Sequence, residues 1–461
     1  MKVFERFESC VRSYSRSFPT IFSKAKGYKL WDIHDQEYID FFAGAGALNY
    51  GHNNPRINRK LISFIENDGI VHSLDMATTS KEQFLERFFQ VILEPRKLDY
   101  RVMFPGPTGT NSVESALKIA RKVTGRHSVV AFTNAFHGMT LGSLAMTGNS
   151  GKRGGAGLPL TGCIRMPYDG YLGEGIDTAN YLENTLEDRG SGIDIPAAIL
   201  LETIQAEGGL NIASIHWLKH IQAICQRWNI LLIVDDIQVG CGRTGPFFSF
   251  EAAGLDPDVV CLSKSVGGSG LPMALTLIKP KYDIWEPGEH NGTFRGNNLA
   301  FVAATEALSY WEDNDLAQEV HNKGEQVSSI LNRLVVQYPD LQANVRGRGL
   351  IQGLECGVKD LSKSICQAAF KRGLIVETSG VMDQVIKILP PLTIDQNGLE
   401  RGLAILADSI DASLKIGTKQ TTEKEVTSGL EFPAQTNPKP IAPPQYSHFG
   451  GLSTKQQTSS S

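Results

Sequence analysis

The stretch Val259-Val260-Cys261-Leu262-Ser263-Lys264 sets a lysine at the end of a short apolar run. The run reads as a buried strand, and the carboxyl ends of such strands are where α/β folds gather reactive groups. A lysine amine held there can condense with a carbonyl. Most lysines are solvated charges, so Lys264 gains meaning only from three other stretches. Gly106-Pro107-Thr108-Gly109-Thr110-Asn111 leads from a strand into a helix, where backbone N–H groups and threonine hydroxyls can cradle an anion. Phe136-His137-Gly138 follows another strand; its aromatic can stack on a planar ring while the glycine leaves clearance. Ile230-Leu231-Leu232-Ile233-Val234-Asp235-Asp236-Ile237-Gln238 ends a third strand in two acids. A carboxylate in that position can pair with a protonated pyridine nitrogen, and Gln238 can reach a ring hydroxyl. Two strand-end acids also suit Mg²⁺, but no Gly-x-x-x-x-Gly-Lys precedes them.

Each stretch alone has an ordinary structural explanation: a tight loop, a core aromatic, a strand end. In this order they supply every contact that pyridoxal 5′-phosphate requires, namely an anion loop, a stacking aromatic, a carboxylate for the ring nitrogen and a lysine for the aldehyde.

These residues need a scaffold. Strands are predicted at Arg101–Phe104, Val129–Phe132, Ala198–Leu201, Ile230–Val234 and Val259–Leu262, with helices between most of them. A helix over Ser112–Val123 keeps Val113, Ala116, Leu117 and Ala120 on one face. This predicts an α/β fold, a mostly parallel sheet with helices on both faces. Tyr28–Asp32 and Glu37–Phe42 flank a polar turn, as in a hairpin. The small residues of Ala43–His52 allow close approach of a backbone or a ligand. An amphipathic helix around Gln318–Gln337 opens a smaller domain. The expected organisation is an N-terminal segment (1–50), a large domain (51–310), a small α+β domain (311–417) and a disordered tail (418–461). The tail is rich in Thr, Ser, Gln, Lys and Pro, and Tyr446–Phe449 is its one candidate docking motif.

Bulk properties exclude other classes. The 461 residues carry a net charge of −4, too little to argue for nucleic acid or an anionic membrane. Seven scattered cysteines without a C-x-x-C pair suit free thiols in a reducing cytoplasm. No H-E-x-x-H occurs, so no metal site is expected. No apolar run approaches membrane-spanning length, and the N-terminus has no signal-peptide core.

Asp235-Asp236-Ile237-Gln238-Val239-Gly240-Cys241-Gly242-Arg243-Thr244-Gly245 resembles the D-E-x-Q-x-G-x-G-R-T-G motif of class III (ω-amino acid) aminotransferases, with Asp236 where Glu is usual. The likeness spans roughly residues 15–410. It implies a fold-type I PLP-dependent transferase with a seven-stranded-type sheet. It also implies that Lys264 is the Schiff-base lysine and that Asp235 pairs with the pyridine nitrogen. Phe136 resembles the stacking aromatic, with His137 beside it, and Gly109 and Thr110 the phosphate loop. Thr293, in Gly292-Thr293-Phe294-Arg295-Gly296-Asn297, resembles the threonine that reaches a neighbouring subunit's phosphate, which implies a homodimer with shared sites. Glu207 and Lys387 match a family Glu–Arg pair that handles the α-carboxylate of glutamate. Lysine there keeps the charge but loses the bidentate fork. Met139 replaces an arginine that GABA-type relatives place after Phe-His-Gly. Phe41–Pro55, Gly106–Asn111 and Gly292–Asn298 are similar to family members that make diaminobutyrate from L-glutamate and L-aspartate 4-semialdehyde, a reaction that opens ectoine synthesis and also feeds siderophores and antibiotics; an ornithine- or acetylornithine-type aminotransferase and a PLP aminomutase are the alternatives.

Overall fold

Seven strands form the central sheet of the computed structural model. Their order across the sheet is Arg101–Met103, Leu275–Ile278, Val259–Leu262, Leu231–Asp235, Ala198–Leu201, Val129–Phe132 and Cys163–Met166. The last five run parallel. Leu275–Ile278 runs antiparallel to both its neighbours. The structure describes residues 2–427, with side chains through Lys415, and Met1–Lys415 forms one compact unit.

The continuous apolar strands are explained by burial on both faces. Val129, Ala131, Leu231, Ile233, Val259 and Cys261 enter one core with Val113, Ala116, Leu117 and Ala120 of the helix Gly109–Thr124. The alternate residues Val130, Phe132, Leu232, Val234, Val260 and Leu262 enter another with Trp217, Ile221 and Ile224 of the helix Ile215–Trp228. This is the period of two expected of strands. Each fully buried aliphatic contributes about 1.5–3 kcal/mol, so the strand ends that carry the chemistry are firmly placed.

Some expectations need correction. Two of the sheet's strands were not foreseen. Cys163–Met166 is an edge strand interrupted by Arg165, whose guanidinium is spent on the carbonyls of Phe132, Ala145, Met146 and Thr147. Leu275–Ile278 follows the Gly-rich loop after Lys264 and turns back, against the parallel pattern. The helix predicted to start at Ser112 starts at Gly109, because Thr108 and Asn111 form a capping box there. The final helix, Gln396–Thr427, passes the predicted boundary at 417; the rest of the predicted tail, with Tyr446–Phe449, lies outside the described residues.

Two smaller sheets complete the frame. In one, Phe22–Lys26, Lys29–Asp32 and Glu37–Asp40 form an antiparallel meander, and Leu374–Ile375 joins it in parallel. The other orders Ala343–Arg348, Ile351–Cys356, Val385–Ile388 and Glu377–Ser379, all antiparallel. Its register sets Glu377 directly opposite Lys387. No described helix is long and apolar enough to cross a membrane.

Candidate active site

Four strand ends meet at one cavity of about 170 Å³. It is lined by Gly109, Thr110, Phe136, His137, Gly138, Glu202, Glu207, Asp235, Ile237, Gln238, Val239 and Lys264. Eight of the ten residues singled out from the sequence are therefore brought together. Lys387 lies behind the wall, and Thr293 is exposed and absent from the lining. The Thr293 carbonyl instead bonds the His72 ring at 2.7 Å.

Lys264 stands in the left-handed region at φ +52°, an unusual conformation for a residue with a Cβ. Burial pushes its amine down to about 8. Glu207, Glu377 and Asp235 oppose that shift, and the charge of Lys387 adds to it. A neutral amine is the nucleophilic form, and burial favours it at Lys264.

Asp235 ends its strand almost fully buried. Its Oδ2 meets His137 Nδ1 at 2.7 Å, and Oδ1 accepts the Ile237 N–H at 3.2 Å. The first contact orients the imidazole and leaves its Nε2 buried without a partner. Gln238 donates to the Ala45 carbonyl at 2.9 Å and to Glu207 Oε1 at 3.0 Å, and its own Oε1 is likewise buried and partnerless. Unmet buried polar atoms are costly unless a ligand satisfies them.

The anion end is built at the start of the 16-residue helix Gly109–Thr124. Thr110 Oγ1 sits 2.6 Å from both Thr140 Oγ1 and Ser143 Oγ. Gly138 has φ +134°, and a Cβ there would lie 2.5 Å from Thr110 Oγ1, so only glycine fits beside this hydroxyl cluster. The small-residue loop Ala43–His52 packs against the active-site residues, its Ala45 carbonyl accepting from Gln238. Its Gly46 carbonyl accepts Ser265 Oγ at 2.7 Å, directly behind Lys264. Arg243 of the long motif is fully buried and bonds Leu350 O, Pro390 O and Asn49 Oδ1, which pins that loop.

The sequence reading missed two acids. Glu202 follows the strand Ala198–Leu201 and accepts the Phe136 N–H at 3.1 Å, holding the aromatic loop. Burial, then Asp235, push its carboxyl well up. The signal was the same strand-end acid that marked Asp235. Glu377 is the second. Lys387 is fully buried, with Nζ 2.6 Å from Glu207 Oε1 and 2.9 Å from Glu377 Oε1. The first contact is a hydrogen bond; the second is an ion pair outside hydrogen-bonding angles. Glu207 is held down to about 2: Lys387, then Lys264, outweigh the opposing cost of burial. Burial pushes Glu377 up despite Lys387. Lys387 itself is raised by Glu207 and Glu377, which outweigh its desolvation.

A carbonyl-reactive lysine, a buried carboxylate, an aromatic and a helix-start anion cradle around one cavity define a fold-type I pyridoxal-phosphate enzyme. The family described as Aminotransferase class-III matches residues 11–410. The diaminobutyrate–2-oxoglutarate transaminase of Halalkalibacterium halodurans is 61% identical over 412 residues, 89% of this chain and 96% of the relative. That of Virgibacillus pantothenticus is 62% identical over 416 residues, 90% of this chain and 100% of the relative. The crystal structure of the ornithine aminotransferase from Toxoplasma gondii aligns with a TM-score of 0.78 at 26% identity, covering 90% of this chain and 94% of that one. The chain belongs to the class III aminotransferases, and its cofactor is pyridoxal 5′-phosphate. The orphaned Nε2 of His137 and Oε1 of Gln238, with the space kept by Gly138, fit that group.

Proposed function

We propose that this chain transfers the amino group of L-glutamate to L-aspartate 4-semialdehyde, giving 2-oxoglutarate and L-2,4-diaminobutyrate, as the first step of ectoine synthesis. The identity of 61% to a diaminobutyrate–2-oxoglutarate transaminase along nearly the whole of both chains carries this reading. Lys264 would hold the cofactor aldehyde, Asp235 its ring nitrogen, Phe136 and His137 its face, and Gln238 its ring oxygen. Gly109 and Thr110 would take its phosphate, with Thr293 from the second subunit of a homodimer. The cofactor, when bound, supplies an electron sink that makes the α-proton of an amino acid acidic.

Lys264 then has two tasks. Its amine would hold the cofactor aldehyde in the resting enzyme and, once free, would serve as general acid and base for the substrate α-proton. An amine near 8 can do both at neutral pH. Asp235, kept in place by His137 and the Ile237 N–H, would pair with the ring nitrogen. Glu207 bridges Gln238 and Lys387, so it covers the lysine. That arrangement suits a substrate with no carboxylate at the reacting carbon, such as the semialdehyde. For glutamate, Glu207 must swing aside so that Lys387 can take the α-carboxylate. The free thiols among the described residues favour a reducing cytoplasm.

A product assay tests the reading: holoenzyme with glutamate and aspartate 4-semialdehyde, with diaminobutyrate scored directly. Stoichiometric 2-oxoglutarate and diaminobutyrate are expected. Turnover of ornithine or 4-aminobutyrate in preference to diaminobutyrate would refute it.

A further inference from the structure

The cofactor cavity shares Glu207 with a larger one of about 740 Å³, lined also by Arg12, Tyr14, Lys152 and Glu377. Two carboxylates, Glu207 and Glu377, face the single ammonium of Lys387. One carboxylate is thus in excess at the mouth of the site. The side chain of Glu377 is 9% exposed, and its Oε1 meets Lys387 Nζ at 2.9 Å. It is close enough to Lys264 for its charge to act on that amine. Glu377 shares one cation, Lys387, with Glu207, and a buried carboxylate with acceptor capacity left over can take a second cation.

The same cavity offers the opposite charge. Lys363 is spent on Asp383 at 2.8 Å, and Arg16 on the Cys10 carbonyl at 3.0 Å. Arg12 and Lys152 form no ion pair among the described residues. Arg12 Nε is buried without a partner, and Lys152 Nζ lies 5.0 Å over the Phe136 ring. When the 4-amino group of diaminobutyrate reacts, its far end is an α-ammonium beside an α-carboxylate. We infer that Glu377 is a specificity-determining residue that accepts the α-ammonium of this zwitterion, while Arg12 and Lys152 receive its carboxylate. This rests on the function proposed above and adds a reason why the site would prefer diaminobutyrate to 4-aminobutyrate, which lacks only the α-ammonium.

The test is a set of single-turnover reactions of the holoenzyme with diaminobutyrate, 4-aminobutyrate and glutamate, followed by the cofactor spectrum, for wild type, Glu377→Gln and Glu377→Asp. Losing a charged hydrogen-bond partner is expected to cut the diaminobutyrate to 4-aminobutyrate preference by roughly tenfold to a hundredfold. Glu377→Asp should restore part of it, and the glutamate reaction should not weaken. A purely structural role would depress all three substrates together, which would overturn the inference, as would an unchanged preference. If wild type reacts with 4-aminobutyrate but not with diaminobutyrate, the function reading itself fails, and the subsite with it.

Discussion

The cofactor side and the substrate side of this site are made differently. Lys264, Asp235 and the Phe136–Gly138 loop all follow strands of one sheet, whose burial on both faces fixes where each strand ends. Glu207, Glu377 and Lys387 come from different parts of the fold. Glu207 follows the short strand Ile204–Gln205, and the other two meet as cross-strand partners in a separate sheet. The first half is a rigid cradle common to both half-reactions. The second is a charged network in which Glu207 Oε1 accepts from Gln238 and Lys387 together. On the function proposed above, chemistry shared by all substrates would sit on the first half, and selection between substrates on the second.

The strongest way to sharpen that contrast is to remove the shared lysine. Lys264→Ala should lower both half-reactions by roughly a hundredfold to ten-thousandfold, and stopped-flow spectra with glutamate and with diaminobutyrate would show equal losses. Asp235→Asn keeps the shape but removes the charge. A loss of roughly a hundredfold to a thousandfold is expected in kcat, again the same for both substrates. A substrate-dependent loss in either variant would break the division between the two halves.

A smaller effect lies in pH. The Lys264 amine, lowered to about 8 by burial, should titrate there in the cofactor-free protein. Its labelling by a simple aldehyde with borohydride should rise as pH passes through about 8. An inflection near the ordinary lysine value of about 10.4 would show the site to be wetter than described. On the substrate side, Glu207 has a depressed carboxyl, so its contribution to stability is present above its unfolded value of about 4.3 and is lost as pH falls towards about 2. Acid melts of Lys387→Met should lack this component. The effect is about 1–3 kcal/mol at most, because burial offsets the attraction.

The same contrast governs what could be read from the chain. Strand-end residues were legible because apolar runs announce the strands, and the candidate residue falls at the strand end or within a position or two of it. Lys264 and Asp235 are such cases, and Glu202 would have been another had the acid after Leu201 been weighed. Cys163–Met166 was hidden by Arg165, whose charge is satisfied by four carbonyls that only the fold brings near. Glu377 was not legible. Its pairing with Lys387 depends on the register between two strands about ten residues apart, and an isolated acid in Val376-Glu377-Thr378 reads as a solvated charge. The motif gave a neutral pair, whereas the register makes a triad with a carboxylate to spare.

The central claim is that Lys387 serves only the substrate whose carboxylate adjoins the reacting carbon. It is tested most directly by single-turnover rates of Lys387→Ala with glutamate and with diaminobutyrate, each normalised to wild type. A loss of roughly tenfold to a hundredfold is expected for glutamate, with little change for diaminobutyrate. Equal losses on both would contradict it.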